Sequence, residues 1–266
     1  MNPDIIKKIK EKKELSSISD EYVLETLERI ILQNPKLAKA IKENRTRSSE
    51  YKDAIKKTRA KLRIEYGMFS EELPEREEIL KKEQDDDKLL LTHKSTAERI
   101  NIYPYIYQKI FDITGIPKKI LDLGCGMNPA SNKYMQLADF EYYAGELSEK
   151  DCKFIEKYFR KRKIKGKAFA TNLKKPELLE ILPEADVCFL FKVLDTVEKK
   201  GHKLAEEIIN KVNAKWIVAS FATHNLGGKR MEHPRRGWIE RMLERLEYKF
   251  KIIEEENEIF YVIEKL

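Results

Sequence analysis

Ile120-Leu121-Asp122-Leu123-Gly124-Cys125-Gly126-Met127-Asn128-Pro129 reads as a buried strand that ends in two glycines. Without side chains there, the backbone can turn sharply and approach a ligand at the carboxyl end of a parallel sheet. Glu146 closes the next apolar run twenty residues after Gly126, where an acidic side chain can accept hydroxyl protons from a ribose. Strand, glycine turn and acid together point to a nucleotide-like ligand on a doubly wound sheet.

Two ligand classes compete for that pattern. A dinucleotide fingerprint wants a third glycine where this chain has Pro129, because the helix that follows must pack closely and offer a free N–H to the pyrophosphate. Adenosylmethionine carries no phosphate and tolerates the proline.

Outward from the turn, short apolar runs alternate with helical stretches. Ile120 to Leu123, Tyr142 to Leu147, Ala168 to Thr171, Val187 to Phe191 and Trp216 to Phe221 read as strands; Glu149 to Lys163 and Val197 to Val212 read as helices. Such alternation predicts a mainly parallel sheet covered on both faces. Phe250 to Ile253 and Ile259 to Ile263, joined by Glu255-Glu256-Asn257, predict an antiparallel hairpin at the sheet edge.

Residues 1–85 have a different character. Gly67 is the first glycine, and Val23, Leu24, Leu27, Ile30 and Ile31 fall at helical spacing, with Ser19 or Asp20 as cap and Pro35 as stop. Further helical stretches run from about Leu37 to Glu43 and from about Ser49 to Tyr66, so a small helical domain is expected here. The polar patch Gln84-Asp85-Asp86-Asp87 is the linker candidate, leaving residues 86–266 as the second domain.

The 266 residues carry a net charge of +7, placed unevenly. Lys36 to Arg63 holds eleven Lys or Arg against Glu43, Glu50 and Asp53, a surplus of eight, so one segment supplies the whole excess. A solvated helix face and a footprint for a phosphate backbone both fit that run. Cys125, Cys152 and Cys188 form no close pair, which argues against a disulfide framework or a C-x-x-C metal site. Charged residues at 37% with scarce Gln match a balance reported for proteins of heat-loving organisms. The absence of a bilayer-length apolar run or a signal-peptide layout leads to the expectation of a soluble, cytoplasmic protein.

His93-Lys94-Ser95-Thr96-Ala97-Glu98-Arg99 places Ser95 and Glu98 at capping-box spacing, which predicts a helix start. Arg99 would then sit in the first turn, facing the positive end of the dipole unless an anion lies nearby. Either a cofactor carboxylate or Glu98 could serve.

These residues together resemble the aminoglycoside-resistance ribosomal RNA methyltransferases, the Arm/Rmt family that methylates N7 of a guanine in 16S rRNA. The similarity runs through His93-x-Ser95-Thr96-x-Glu98-Arg99, Leu121-Asp122-x-x-Cys125-Gly126-x-Asn128-Pro129, and Ala185-Asp186-Val187 to Leu190-Phe191-Lys192. It continues in Ser220-Phe221, Leu226-Gly227 and Asn257-Glu258-x-x-Tyr261-Val262-Ile263, while Lys56-Lys57-x-Arg59-x-Lys61-Leu62 followed by Tyr66-Gly67 resembles the family's RNA-docking domain.

The resemblance implies a Rossmann-like class I fold: a mainly parallel seven-stranded sheet with an antiparallel C-terminal hairpin, preceded by a helical RNA-docking domain. It implies S-adenosyl-L-methionine as cofactor and 16S rRNA within the 30S subunit as partner, with a monomeric protein and no metal. His93, Lys94, Ser95 and Arg99 would hold the methionine end beside Gly124 and Gly126. Glu146 would take the ribose, Asn172 and Leu173 would frame the adenine, and Leu190 would lie on its other side. Lys56, Lys57, Arg59, Lys61, Arg63, His224, Lys229 and Arg230 would meet RNA.

Some positions depart from the family. Glu146 and Asn172 stand where Asp is usual, both keeping an oxygen acceptor. His224-Asn225-Leu226-Gly227 replaces Lys-Ser-Leu-Gly at the expected substrate mouth. Guanine N7 bears a lone pair and no proton, so no general base is expected. Phe221, His224 and Trp238 are stacking candidates, Trp238 being read rather as a core or rim aromatic. Lys229, Arg230, Arg235 and Arg236 would extend the basic surface, while His202 and His233 read as surface residues. A transfer RNA enzyme, a small-molecule methyltransferase and a non-catalytic RNA-binding protein are the alternatives.

Overall fold

The computed structural model describes residues 3–16, 18–63, 73–82, 86–198, 201–225 and 227–265. Tyr66-Gly67, Gln84, Asp85 and Leu226, singled out above, lie outside them. The chain divides into two compact units, one of Met1–Glu71 with Leu147–Lys150, the other of Glu72–Glu146 with Asp151–Leu266. This division falls earlier than the boundary near residue 85 that composition suggested.

In the first unit α1 (Pro3–Lys10), α2 (Asp20–Leu32), α3 (Pro35–Lys42) and α4 (Ser49–Leu62) surround a small core. Ser19 caps α2 by accepting from the Tyr22 N–H, and Ser48 caps α4 by accepting from the Tyr51 N–H. Pro35 stops α2 and also opens α3, a position where its missing N–H costs nothing. Tyr51, Ala54, Thr58 and Leu62 recur along one face of α4 and are buried with Ile9, Val23 and Leu27.

The second unit begins with α5 (Leu73–Lys81), α6 (Asp86–Leu91), α7 (Lys94–Arg99) and α8 (Tyr103–Thr114). The linker reading of Asp86 and Asp87 is corrected here. Both open α6, where the helix dipole favours acids; Asp86 pairs with Arg162 at 2.7 Å and Asp87 with Lys133 at 2.8 Å.

Seven strands follow: β1 (Lys119–Leu123), β2 (Glu141–Glu146), β3 (Lys165–Ala170), β4 (Ala185–Phe191), β5 (Ala214–Ala222), β6 (Lys249–Glu254) and β7 (Glu258–Glu264). They form one sheet in the order β3-β2-β1-β4-β5-β7-β6, parallel through β5, with β7 and β6 antiparallel. The expected hairpin is present with β6 as the edge, β7 being paired on both sides.

Alternate residues of the buried strands feed two cores. Ile120, Phe189 and Val218 face α8 and α9 (Glu149–Arg162); Leu121, Leu190 and Ile217 face α11 (Lys203–Lys211) and α12 (Gly237–Arg245). The long helix expected over Val197 to Val212 is instead a short α10 (Leu194–Val197) followed by α11. Among the described residues no helix is long and apolar enough to cross a membrane.

Candidate active site

The strand order reverses direction between β1 and β4, and ligands of such sheets bind outside the carboxyl ends of the strands at that switch point. The chain that leaves β1 there has positive φ at Gly124 (68°) and Gly126 (52°), which glycine adopts without the cost of a Cβ. At both positions the missing side chain also matters for space. A Cβ on Gly124 would lie 2.7 Å from a Val193 methyl carbon, and one on Gly126 would lie 2.5 Å from the His93 ring. Pro129 then opens a 3₁₀ helix, Asn128–Met135.

Two expected ligand residues, Glu146 and His93, meet at Gly126. Its N–H donates to Glu146 Oε1 at 2.6 Å, fixing the carboxylate at the end of β2, and the His93 imidazole lies across the turn. Thr171 N–H donates to the Glu146 carbonyl at 2.7 Å, which brings the end of β3 and hence Asn172 and Leu173 alongside. Asn172 Oδ1 accepts from the Lys174 N–H at 3.0 Å, so one of its lone pairs is used by the local turn.

His93 keeps some exposure, but its Nδ1 is shut off from solvent. Burial, with the charges of Arg76 and Arg99, pushes its pKa down to about 3. The ring at this turn is therefore neutral at physiological pH.

The α7 segment corrects the capping-box expectation. His93 is the N-cap, Ser95 lies inside the helix, and Arg99 is its last residue, where the dipole favours a cation. Thr96 drives the shift: its hydroxyl bonds the His93 carbonyl at 2.9 Å, and also the Leu90 carbonyl. Lys94 is exposed.

The anion beside Arg99 is Glu258, with Nε at 2.8 Å from Oε2; Nη2 of Arg99 donates to Ser95 Oγ at 2.7 Å and Nη1 to the Tyr103 hydroxyl at 3.2 Å. Both Arg99 and Glu258 are buried, and the carboxylate holds the guanidinium pKa above its ordinary value against the opposing effect of burial.

A continuous buried network extends from this pair beneath the glycine turn. The Tyr103 hydroxyl donates to Asn128 Oδ1 at 2.7 Å, and Asn128 Nδ2 donates to Asp122 Oδ2 at 2.9 Å, which also accepts from Tyr142. Burial raises the Asp122 pKa to about 6, against those two hydrogen bonds. Glu258 also accepts from the Ser220 hydroxyl and pairs with Lys192 at 3.2 Å, and Lys192 reaches Glu98 of α7 at 2.7 Å. Sequence reasoning gave Glu258 and Lys192 no role, although both stood in segments of the resemblance.

Two expected contacts are corrected by burial. Leu190 and Phe221 have no exposed surface, because their strand positions point into the core against α11 and α12. Val193, half-buried and packed against Gly124, follows the end of β4.

The loop after β5 is tightly folded. His224 bridges to Arg230, its Nδ1 lies 2.9 Å from Thr223 Oγ1, and Asn225 Oδ1 accepts the N–H groups of Gly227 and Lys229 at 3.0 Å each. This leaves Lys229 and Arg230 exposed. Arg235 pairs with Glu240 at 2.7 Å, and Arg236 pairs with Asp195 at 3.0 Å while donating to the Ala222 carbonyl, so Arg236 braces the loop rather than standing free.

On α4, Lys56 is exposed and Lys57 pairs with Asp53 at 2.8 Å. Lys61 is half-buried, and Arg63 pairs with Glu14 at 2.7 Å. Arg59 is mostly buried, donating to the carbonyls of Ile9 and Lys8, so it ties α1 to α4 instead of facing outward.

A family profile described as ribosomal RNA methyltransferase (FmrO) matches residues 85–262. The chain is 28% identical over 230 residues to a 16S rRNA (guanine(1405)-N(7))-methyltransferase of Micromonospora echinospora, covering 80% of this chain and 83% of the relative. In fold it is similar to the 16S rRNA methyltransferase RmtF in complex with S-adenosyl-L-homocysteine, with TM-score 0.78, 20% identity and full coverage of both chains. It is also similar to the 16S rRNA methylase RmtB, with TM-score 0.74, 20% identity, 99% of this chain and 98% of the other.

Proposed function

The chain belongs to the ribosomal RNA methyltransferase (FmrO) family, and from that membership we propose that it transfers a methyl group from S-adenosylmethionine to N7 of a guanine in 16S rRNA. The observation that carries this reading is the family match across residues 85–262, which spans the glycine turn, Glu146 and the loop after β5. The residues at the switch point fit the cofactor: a half-buried carboxylate at the end of β2 suits a ribose, and the turn at Gly124 leaves backbone accessible beside Val193. When bound, the cofactor supplies an electrophilic methyl on a sulfonium.

In this reading His93 and Ser95 line the methionine end, Arg99 acting by holding Ser95 in place. Glu146 takes the ribose, while Asn172 and Leu173 frame the adenine. The neutral His93 ring adds no second positive charge beside the sulfonium. Guanine N7 needs no base to attack, so the chain contributes by orienting the guanine and excluding water rather than by moving a proton. A guanine drawn from a helical stack costs ~ a few kcal/mol, which contacts of the exposed Lys229, Arg230 and Lys56 with phosphates would offset.

The test presents purified protein and labelled adenosylmethionine with 30S subunits, free 16S rRNA and transfer RNA. Label at N7 of one 16S guanine is the expected result. Label confined to transfer RNA, or no transfer by a protein that binds cofactor, overturns it.

A further inference from the structure

The second unit has a cleft of about 240 Å³ lined by His202, Glu206, Trp238, Arg241 and Arg245, with none of the glycine-turn residues. His202, the residue before α11, has φ 57° and lays its imidazole flat on the Trp238 indole, with centroids 4.1 Å apart and planes within 5°. Phe221 braces the indole edge-on at 5.8 Å. His202 and Trp238 are both half-buried at the rim of the cleft.

Cations surround these rings. Arg245 pairs with Glu206 at 2.5 Å yet stays 60% exposed, whereas Arg241 is exposed and makes no ion pair among the described residues. From Lys229 to Arg245 six Lys or Arg face three Glu, a local surplus of three outside the N-terminal basic segment.

Size and chemistry limit the occupant. The cleft is smaller than the roughly 300–1,000 Å³ of pockets that enclose a drug-sized ligand, so it suits no more than one nucleotide. A fixed aromatic pair beside an unneutralised guanidinium is the chemistry that holds one nucleotide of an unpaired strand, the ring meeting the base and the cation the phosphate. We propose that this cleft is a second RNA-contact site, taking one unpaired nucleotide of the substrate RNA with its base on the His202–Trp238 pair and its phosphate on Arg241. The proposal rests on the reading of the chain as an RNA methyltransferase and adds to it a contact outside the cofactor site.

The experiment uses the full chain and the variants His202→Ala, Arg241→Glu, Arg241→Gln and Arg241→Lys. Binding of a short fluorescein-labelled single-stranded RNA is measured by anisotropy across a salt series, adenosylmethionine binding by calorimetry, and methylation of 30S subunits as KM and kcat. His202→Ala weakens RNA binding about fivefold or more, the loss expected for one base–aromatic stack. Arg241→Glu weakens it further, Arg241→Gln lowers the salt slope by about 1, and Arg241→Lys retains most of the affinity. Cofactor affinity and thermal midpoint stay at wild-type values, and KM for subunits rises while kcat holds.

Wild-type RNA affinity and KM in both His202→Ala and Arg241→Glu overturn the site. Loss in Arg241→Glu alone also overturns it, since that is charge without a stacked base. If the wild type leaves 30S subunits unmethylated while RNA binding still depends on both side chains, the site stands and the methylation reading is what fails.

Discussion

Glu258 Oε1 and Oε2 lie 2.9 and 2.8 Å from Arg99 Nε, joining β7 to α7 across 159 positions of sequence. Replacing such a buried pair by apolar residues is often harmless, but removing one partner strands the other charge at a cost of about 3–5 kcal/mol. Glu258→Gln strands Arg99 and weakens the hold on Lys192, so its thermal midpoint should fall by about 6–20 °C. Arg99→Met in the same chain should recover part of the loss. A midpoint within about a degree of wild type in scanning calorimetry would show that the pair does not support the fold.

Glu146 is the most direct lever on cofactor binding. Its Oε1 accepts from the Gly126 N–H, which fixes the carboxylate at the end of β2. A hydrogen bond to a charged group contributes about 1.5–3 kcal/mol. Glu146→Gln should therefore weaken adenosylmethionine binding by about one to two orders of magnitude while leaving RNA affinity alone. Wild-type cofactor affinity in Glu146→Ala, measured by calorimetry, would remove Glu146 from the site.

The sheet was legible because its period is local. Buried parallel strands read as unbroken apolar runs, and four of the five parallel strands end within a residue of expectation on both sides or extend only by one or two residues. β3 was the exception, starting three residues early at Lys165-Gly166-Lys167, because an exposed edge strand carries little apolar signal. α8, dense in Tyr, Ile and Phe, carries little helical signal: these residues are indifferent helix formers, and packing of Tyr103, Tyr107 and Phe111 in the core decides the matter.

Site legibility followed the same rule. Gly124, Gly126 and Glu146 stand at fixed offsets between the end of β1 and the end of β2. The partner of Arg99 could not be found by spacing, since it lies on the last strand. Strand parity decides which face Phe221 and Leu190 take, and no motif states that parity.

The two perturbed groups near the turn should oppose each other in acid. Unfolded His93 takes up a proton near 6.5, the folded chain not until about 3; its contribution is complete above 6.5 and is lost as pH falls toward 3. Asp122 ionises near 3.9 when unfolded but near 6 when folded, so its contribution is lost as pH rises across that interval. Each slope approaches about 1.4 kcal/mol per pH unit, and between pH 4 and 6 they offset one another. Relative to wild type, Asp122→Asn should gain stability with rising pH in this window and His93→Gln should lose it. Urea unfolding at a series of pH values checks both, and parallel curves for all three proteins would refute the assignment.

The cations of α4 separate into those that hold the bundle and those that remain for a polyanion. Arg59 donates to two carbonyls of α1 and is mostly buried, so its charge neutralises helix-end oxygens of its own unit. Arg59→Gln should cost about 1–3 kcal/mol of stability by leaving those acceptors unmet. Lys56 is exposed on the same helix, and Lys56→Gln should leave stability within about 0.5 kcal/mol. Its effect should appear instead in RNA binding, as a salt slope shallower by about 1 with affinity reduced alike for every RNA sequence, as a phosphate contact requires. Denaturant titration and binding across a salt series on the same two variants check this division of labour. If Lys56→Gln unfolds more readily while its RNA salt slope is unchanged, the exposed face of α4 is structural and the surplus of eight charges needs another account.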